Sequence, residues 1–176
     1  MILGMSVAAF TQFHVIISLI AIISGIIVAF SMLSARLMPG MTTLFLITTV
    51  ATSVTGFMFP TPVDAPRVIG SLDPAKVIGL ISLIFLALAI LGLYVYKLAG
   101  SWRGIYVVSA IISLYFNCFV LVVQSFQKVS FFHALAPTQK EPPFAVAQGI
   151  LLILFVGLGI AAFRKFRPLI RVPAAA

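Results

Sequence analysis

Five apolar runs, each long enough to cross a bilayer, constrain this chain more than any other feature. They cover approximately residues 13–33, 41–59, 77–98, 105–127 and 144–163, and no Asp, Glu, Lys or Arg lies deep inside any of them. Crossing the hydrocarbon core as a helix takes about 20 residues. In lipid a backbone N–H or C=O has no water to turn to, so each run must satisfy its own hydrogen bonds as an α-helix. The alternation of a membrane barrel is absent. With a mean hydropathy of +1.26, the chain carries far more apolar surface than a soluble domain of its length can hide. The fold class expected is therefore an all-α integral membrane protein, a five-transmembrane-helix bundle in a single domain, with residues 164–176 as a basic tail.

The connectors carry their own signals. Pro39-Gly40 and Gly100 to Gly104 break two hairpins. Asp73-Pro74 reads as an N-cap followed by proline at the first helical position, and Pro142-Pro143 opens the last helix in the same way. The first ten residues lack the basic start of a signal peptide, so the first run is expected to stay as a helix.

Charge sets the expected orientation. The net charge of +8 would suggest nucleic acid in a soluble protein, but here the cations flank apolar runs and no nucleic-acid partner is expected. Four of them, Arg67, Lys76, Lys128 and Lys140, share a side with the N-terminus. Seven, Arg36, Lys97, Arg103, Arg164, Lys165, Arg167 and Arg171, lie on the other. The positive-inside rule then places the C-terminus in the cytoplasm and the N-terminus outside. Tyr94, Tyr96, Trp102 and Tyr106 would form an aromatic belt at the cytoplasmic interface. Both histidines, His14 and His133, and all three acids, Asp64, Asp73 and Glu141, fall on the outer side.

Helices in lipid approach through small residues. In the first run Ser18, Ala21, Gly25 and Ala29 form such a stripe, and His14 precedes it by one turn, so His14 is expected to face the bundle. The second run has hydroxyl stripes through Thr48, Thr52 and Thr55 and through Thr49, Ser53 and Gly56. The fourth has Ser109, Ser113, Asn117 and then Gln124; the fifth offers Gly157 and Ala161. The simplest reading of these stripes is interhelical packing. The functional reading is a polar pocket opening outward. A shift of 64 residues lays the first hairpin on the second, with Ser18 on Ser82 and Ser53 on Asn117, which describes two parallel hairpins plus one extra helix.

The stretch FFHALAPTQKEPPF, Phe131 to Phe144, gathers polar residues that are scarce elsewhere. Its prolines restrict the backbone, and it is expected to form an ordered outer cap. The ligand-binding residues expected beneath this cap are His14, Asn117, Gln124, His133, Gln139, Glu141 and Gln148, with Thr138 in the cap and Phe10 and Gln12 at the rim. His14 and His133 could together hold one b-type haem, though no spacing motif pairs them. A zinc-like set of His14, His133, Asp64 and Glu141 lacks the usual ligand spacing, and the acids have simpler roles. The one cysteine, Cys118, excludes an intramolecular disulfide. No phosphate loop, nucleophile elbow or CxxC pair is present.

The segments FHVIISLIAIISGIIVAF, LFLITTVATSVTGFMFP, IYVVSAIISLYFNCFVLVVQSF and HALAPTQKEPPFAVAQ together resemble a group of small bacterial inner-membrane proteins sharing a HALAPTQ-x-EPPF-x-VAQ segment. The resemblance spans about Phe13 to Pro168. It implies a bacterial cytoplasmic membrane and a helical bundle, and it implies no activity. The expected function is that of a non-enzymatic accessory or ligand-binding membrane protein. It would use membrane lipids, a partner membrane protein or a second copy of itself, with no cofactor. The alternatives are an electron-transfer protein holding one haem or a quinone, and a small transporter. The transporter is disfavoured by the lack of buried charge.

Overall fold

The computed structural model describes residues 1–60, Ile69 and residues 73–167. The candidate residue Asp64 and its neighbour Arg67 lie outside the described residues, as does the tail from Pro168 onward. Six helices follow in order: α1 (Val7–Leu33), α2 (Pro39–Phe57), α3 (Pro74–Ile90), α4 (Trp102–Lys128), α5 (Ser130–Leu135) and α6 (Pro142–Lys165). A π-helical turn, Leu91–Val95, prolongs α3. Five of the segments are long and apolar enough to span a membrane: α1, α2, α3 with its π turn, α4 and α6. The all-α, five-span expectation holds.

The helix starts follow from local chemistry. The Ser6 hydroxyl accepts from the Ala9 N–H at 3.2 Å, so α1 begins about two turns before its apolar run. Asp73 caps α3 as its spacing implies, its Oδ1 accepting from the Lys76 N–H at 3.0 Å. Pro39 is not a breaker but the first residue of α2, where its missing N–H costs nothing. The short helix α5 arises inside the stretch expected to be a cap.

Helices α1, α2, α3 and α4 form a ring in which each packs on the next and α4 closes back on α1; α6 lies outside, against α4 and α1. Consecutive helices run antiparallel within the ring, as the His14–Thr55 and Thr43–Tyr94 contacts show for α1–α2 and α2–α3. We call the end holding the start of α1, α5 and the start of α6 the cap end, and the other the tail end.

The inward faces match the small-residue stripes. Ala21, Ser24, Gly25, Val28 and Ala29 of α1 are buried, as are Ser109, Ala110, Ser113 and Leu114 of α4. A Cβ built on Gly25 would lie 2.6 Å from Leu114 Cδ1 and 2.8 Å from Phe45 Cε2, so glycine is what lets α1, α2 and α4 meet.

Two expectations need correction. Tyr106 does not join the aromatic belt: it is 0% exposed, with its ring 5.8 Å from that of Phe166. Tyr96 and Trp102 do stand at the tail end, stacked at 3.8 Å. On α6, Gly157 faces open space, and it is Gly159, where a built Cβ would lie 3.6 Å from Ile111 Cγ2, and buried Ala162 that meet the bundle. Their α6 positions are one or two residues from the expected ones, enough to turn the contact face by 100° or more.

Candidate functional site

The cap-end half of α1, α2 and α4 holds a seam of polar side chains. It begins at His14, whose Nδ1 lies 2.7 Å from Thr55 Oγ1. The Thr55 hydroxyl also sits 2.7 Å from the Ala51 carbonyl oxygen, to which it donates. One hydroxyl has one proton, so both contacts are satisfied only if Nδ1–H of His14 donates to Thr55. In neutral His14 this leaves Nε2 with a free lone pair. The ring is held edge-on to Phe59 at 5.2 Å, and Phe59 packs on Phe10 at 5.0 Å.

One turn deeper, the Ser18 hydroxyl donates to the His14 carbonyl at 2.7 Å and lies 3.4 Å from Thr52 Oγ1. Deeper still, Asn117 Nδ2 donates to Thr49 Oγ1 at 3.2 Å, with Thr49 fully buried. Gln124 stands two turns beyond Asn117, so helix periodicity puts both on one face of α4. Its Oε1 is buried and accepts no hydrogen bond. Lys128 follows one turn further along that face.

A second group lies on the opposite side of α4. Here Gln148 Nε2 donates to the Phe119 carbonyl at 3.2 Å and Gln139 Nε2 to the Val123 carbonyl at 3.3 Å. His133 Nδ1 lies 3.2 Å from the Phe126 carbonyl, and only its N–H form can bond there. The rings of Phe132 and Phe144 each pack 5.4 Å from Phe126. The residues expected to share one pocket therefore divide into two groups. His14, Asn117 and Gln124 belong to the α1–α2–α4 seam. His133, Gln139 and Gln148 tie the cap to the α4–α6 side. The cap folds onto α4 and α6 because Phe126, Phe132 and Phe144 give it an apolar anchor there.

Glu141 has a structural role. Thr138 donates to its Oε1 through both its N–H, at 3.3 Å, and its hydroxyl, at 2.9 Å, while the Lys140 N–H donates to Oε2 at 3.1 Å. Both carboxylate oxygens are thus used by the loop itself, and Gln139 adopts a left-handed φ of 61° between these donors. Desolvation pushes the Glu141 carboxyl up, but the hydrogen bonds from its own loop outweigh it and hold the group below its ordinary 4.5. The folded carboxyl is therefore the stronger acid. Its ordering of the loop is complete above the ordinary value and is lost as pH falls through the depressed one. Hydrogen exchange of the amides of Thr138 and Lys140 should accelerate at pH 3 relative to exchange at pH 7, after correction for intrinsic rates. Glu141→Gln should show the fast behaviour at both pH values. Equal protection throughout would remove this role.

Of the expected rim residues, Phe10 is fully buried and belongs to the core, while Gln12 is exposed. No three His, Cys, Asp or Glu side chains gather as a metal site among the described residues. The described contacts hold His14 to α2 and His133 to α4, on the two sides just distinguished, and do not join the two rings. Sequence reasoning missed Thr55 as the partner that fixes the His14 tautomer. Its position on a hydroxyl stripe was the available signal. It also missed that α4 would separate the two groups. Compared with protein-family models, curated proteins and solved structures, the chain gives no match to any of them.

Proposed function

We propose that this is a non-enzymatic binding protein of a bacterial cytoplasmic membrane, and that it holds a ligand through the polar seam of α1, α2 and α4. The observation that carries the reading is the buried Gln124 oxygen with no donor. A buried acceptor left unpaired costs about 1–3 kcal/mol, so it is retained at a cost unless something supplies a donor. Elsewhere along the seam, His14, Ser18, Asn117 and their threonine partners are already paired. A ligand bearing a hydroxyl or amine would complete the set, with Gln124 as acceptor and His14 Nε2 as a second one. The apolar surroundings suit a lipid-like molecule.

The orientation in this reading has the N-terminus outside and the C-terminus in the cytoplasm, from the sequence count of seven cations in the segments on the C-terminal side of the spans against four on the N-terminal side. The bacterial cytoplasmic membrane follows from the resemblance of the HALAPTQKEPPF segment. Membrane lipids surround the bundle, and the outward face of α6 leaves room for a partner protein or a second copy.

The test is Gln124→Leu. In delipidated protein the variant should be as stable as the parent or more stable, because an unpaired acceptor has been removed. Mass spectrometry of lipids and small molecules copurified from the membrane should lose one species present with the parent. A fall of several degrees in the delipidated melting temperature would mean that Gln124 is paired within the protein, and the reading would fail. A visible spectrum of the same sample separates the electron-transfer reading: a Soret band abolished by His14→Ala would replace a lipid-like ligand with haem.

A further inference from the structure

A groove of about 710 Å³ runs between α2 and the end of α3, lined by Thr43, Leu46, Ile47, Val50, Ala51, Val54, Ile90 and Tyr94. The α2 members recur at three- and four-residue steps, so they form one face. Thr49, Thr52 and Thr55, the α2 members of the polar seam, are not among the residues that line the groove. Both limits of the groove are defined. Towards the cap end α2 and α3 close together, where the Phe57 ring lies 3.2 Å from a Cβ built on Gly79. At the tail end the Thr43 and Tyr94 hydroxyls meet at 2.7 Å. Tyr94 belongs to the π-helical turn, a local widening often found at functional positions.

The dimensions and charge select an occupant. From Thr43 to Val54 the chain climbs about 16 Å, roughly half of the ~30 Å hydrocarbon core. The groove thus has the depth of one leaflet, with its polar end at the interface. Two hydroxyls sharing one hydrogen bond retain one proton, which can be donated outward to an acceptor oxygen. Arg36, in the α1–α2 connector, and Lys97, after the π turn, are exposed at the same end. Neither forms an ion pair with an acid among the described residues. None of the three acids of the chain lies in a tail-end connector. The head group that fits is therefore an anionic phosphate, and the part that fits the groove is one acyl chain.

We propose that the α2–α3 groove is a binding site for an anionic phospholipid of the tail-end leaflet. One acyl chain lies along Leu46, Val50 and Ala51. The phosphate accepts from the Thr43–Tyr94 hydroxyl pair and faces Arg36 and Lys97. This site is separate from the polar seam and stands whether or not that seam binds a ligand.

Native mass spectrometry of the detergent-purified protein, titrated with phosphatidylglycerol and with phosphatidylcholine of identical chains, tests it. The wild type should retain one phosphatidylglycerol in preference to phosphatidylcholine. Arg36→Gln and Lys97→Gln should each weaken that preference about fivefold. Ala51→Phe should abolish retention by filling the groove floor. Val54→Trp fills the groove from its exposed wall and serves if Ala51→Phe does not fold, since Val54 is 49% exposed. Equal retention of the two lipids would overturn the assignment of an anionic head. Retention of phosphatidylglycerol by a folded groove-filling variant would overturn the groove as the site.

Discussion

Gly25→Val should cost the protein about 3 kcal/mol or more, a large part of the stability of an ordinary domain. At this position α1 meets both α2 and α4. A single added Cβ would stand 2.6 Å from Leu114 Cδ1, 2.8 Å from Phe45 Cε2 and 2.9 Å from Phe45 Cδ2. Leu114 and Phe45 are each 1% exposed, so neither has room to withdraw. Replacing glycine in a helix interior ordinarily gains about 1 kcal/mol of propensity for alanine and less for valine, which is too little to offset that crowding. The helices must separate instead. Separation would loosen the Asn117–Thr49 contact between α4 and α2 as well. The single cysteine provides the readout, because Cys118 is buried and free. Heating in detergent with a thiol-reactive dye should label Cys118 at a markedly lower temperature in Gly25→Val. Gly157→Val is the control: nothing lies within 4 Å of a Cβ there, and its labelling curve should match the parent. If the two variants melted together, close packing at Gly25 would not be what holds the ring.

Arg103→Ala should release the end of α6. The Arg103 guanidinium donates to the Phe163 carbonyl at 3.0 Å and to the Phe166 carbonyl at 2.7 Å. Its carbon also lies 5.5 Å from the centre of the Phe163 ring. Those carbonyls belong to the last turn of α6 and its C-cap residue, which have no further helix to accept from. A hydrogen bond from a charged donor is worth about 1.5–3 kcal/mol, and the two here, both from Nη1, share one ordering cost. Arg103 is partly exposed, so we expect a loss of about 2–3 kcal/mol in the attachment of α6 at the tail end. Phe166, fully buried beside Tyr106, should become accessible with it. Trypsin should then cut after Arg164 and Lys165 much faster than in the parent. Arg103→Lys should restore only part, because the strongly hydrated ammonium loses the planar contact over the Phe163 ring. Unchanged cleavage in Arg103→Ala would show that packing alone secures α6.

Much of the architecture could be read from the chain. The Asp73 cap, the proline start of α6 and the spans appear where the sequence puts them, apart from the start of α1, which lies about two turns earlier. The inward face of α1 was legible too, since Ala21, Gly25 and Ala29 have no other reason to recur at helical spacing. The site was legible in its residue types and not in its grouping. Asn117 and Gln124 share an α4 face that can be counted off the sequence. That Gln139 and Gln148 reach the opposite face depends on where the cap lands, and the cap is steered by Phe126, Phe132 and Phe144 from three different helices. Glu141 looked available to a ligand until its own loop was seen to use both of its oxygens.

The sequence by itself determined the five helices that are long and apolar enough to cross a membrane, because a backbone in lipid must be satisfied within each span and the requirement is local. Tertiary structure alone decided which faces meet. In lipid an apolar side chain is equally content against a neighbour or an acyl chain, so hydrophobicity does not distinguish inside from outside. Tyr106 is therefore buried where a belt position was expected, and Gly157 is open where packing was expected. The α2–α3 groove appears between two apolar faces that look alike in sequence, because the Phe57–Gly79 contact closes them at one end and the Thr43–Tyr94 bond spans them at the other.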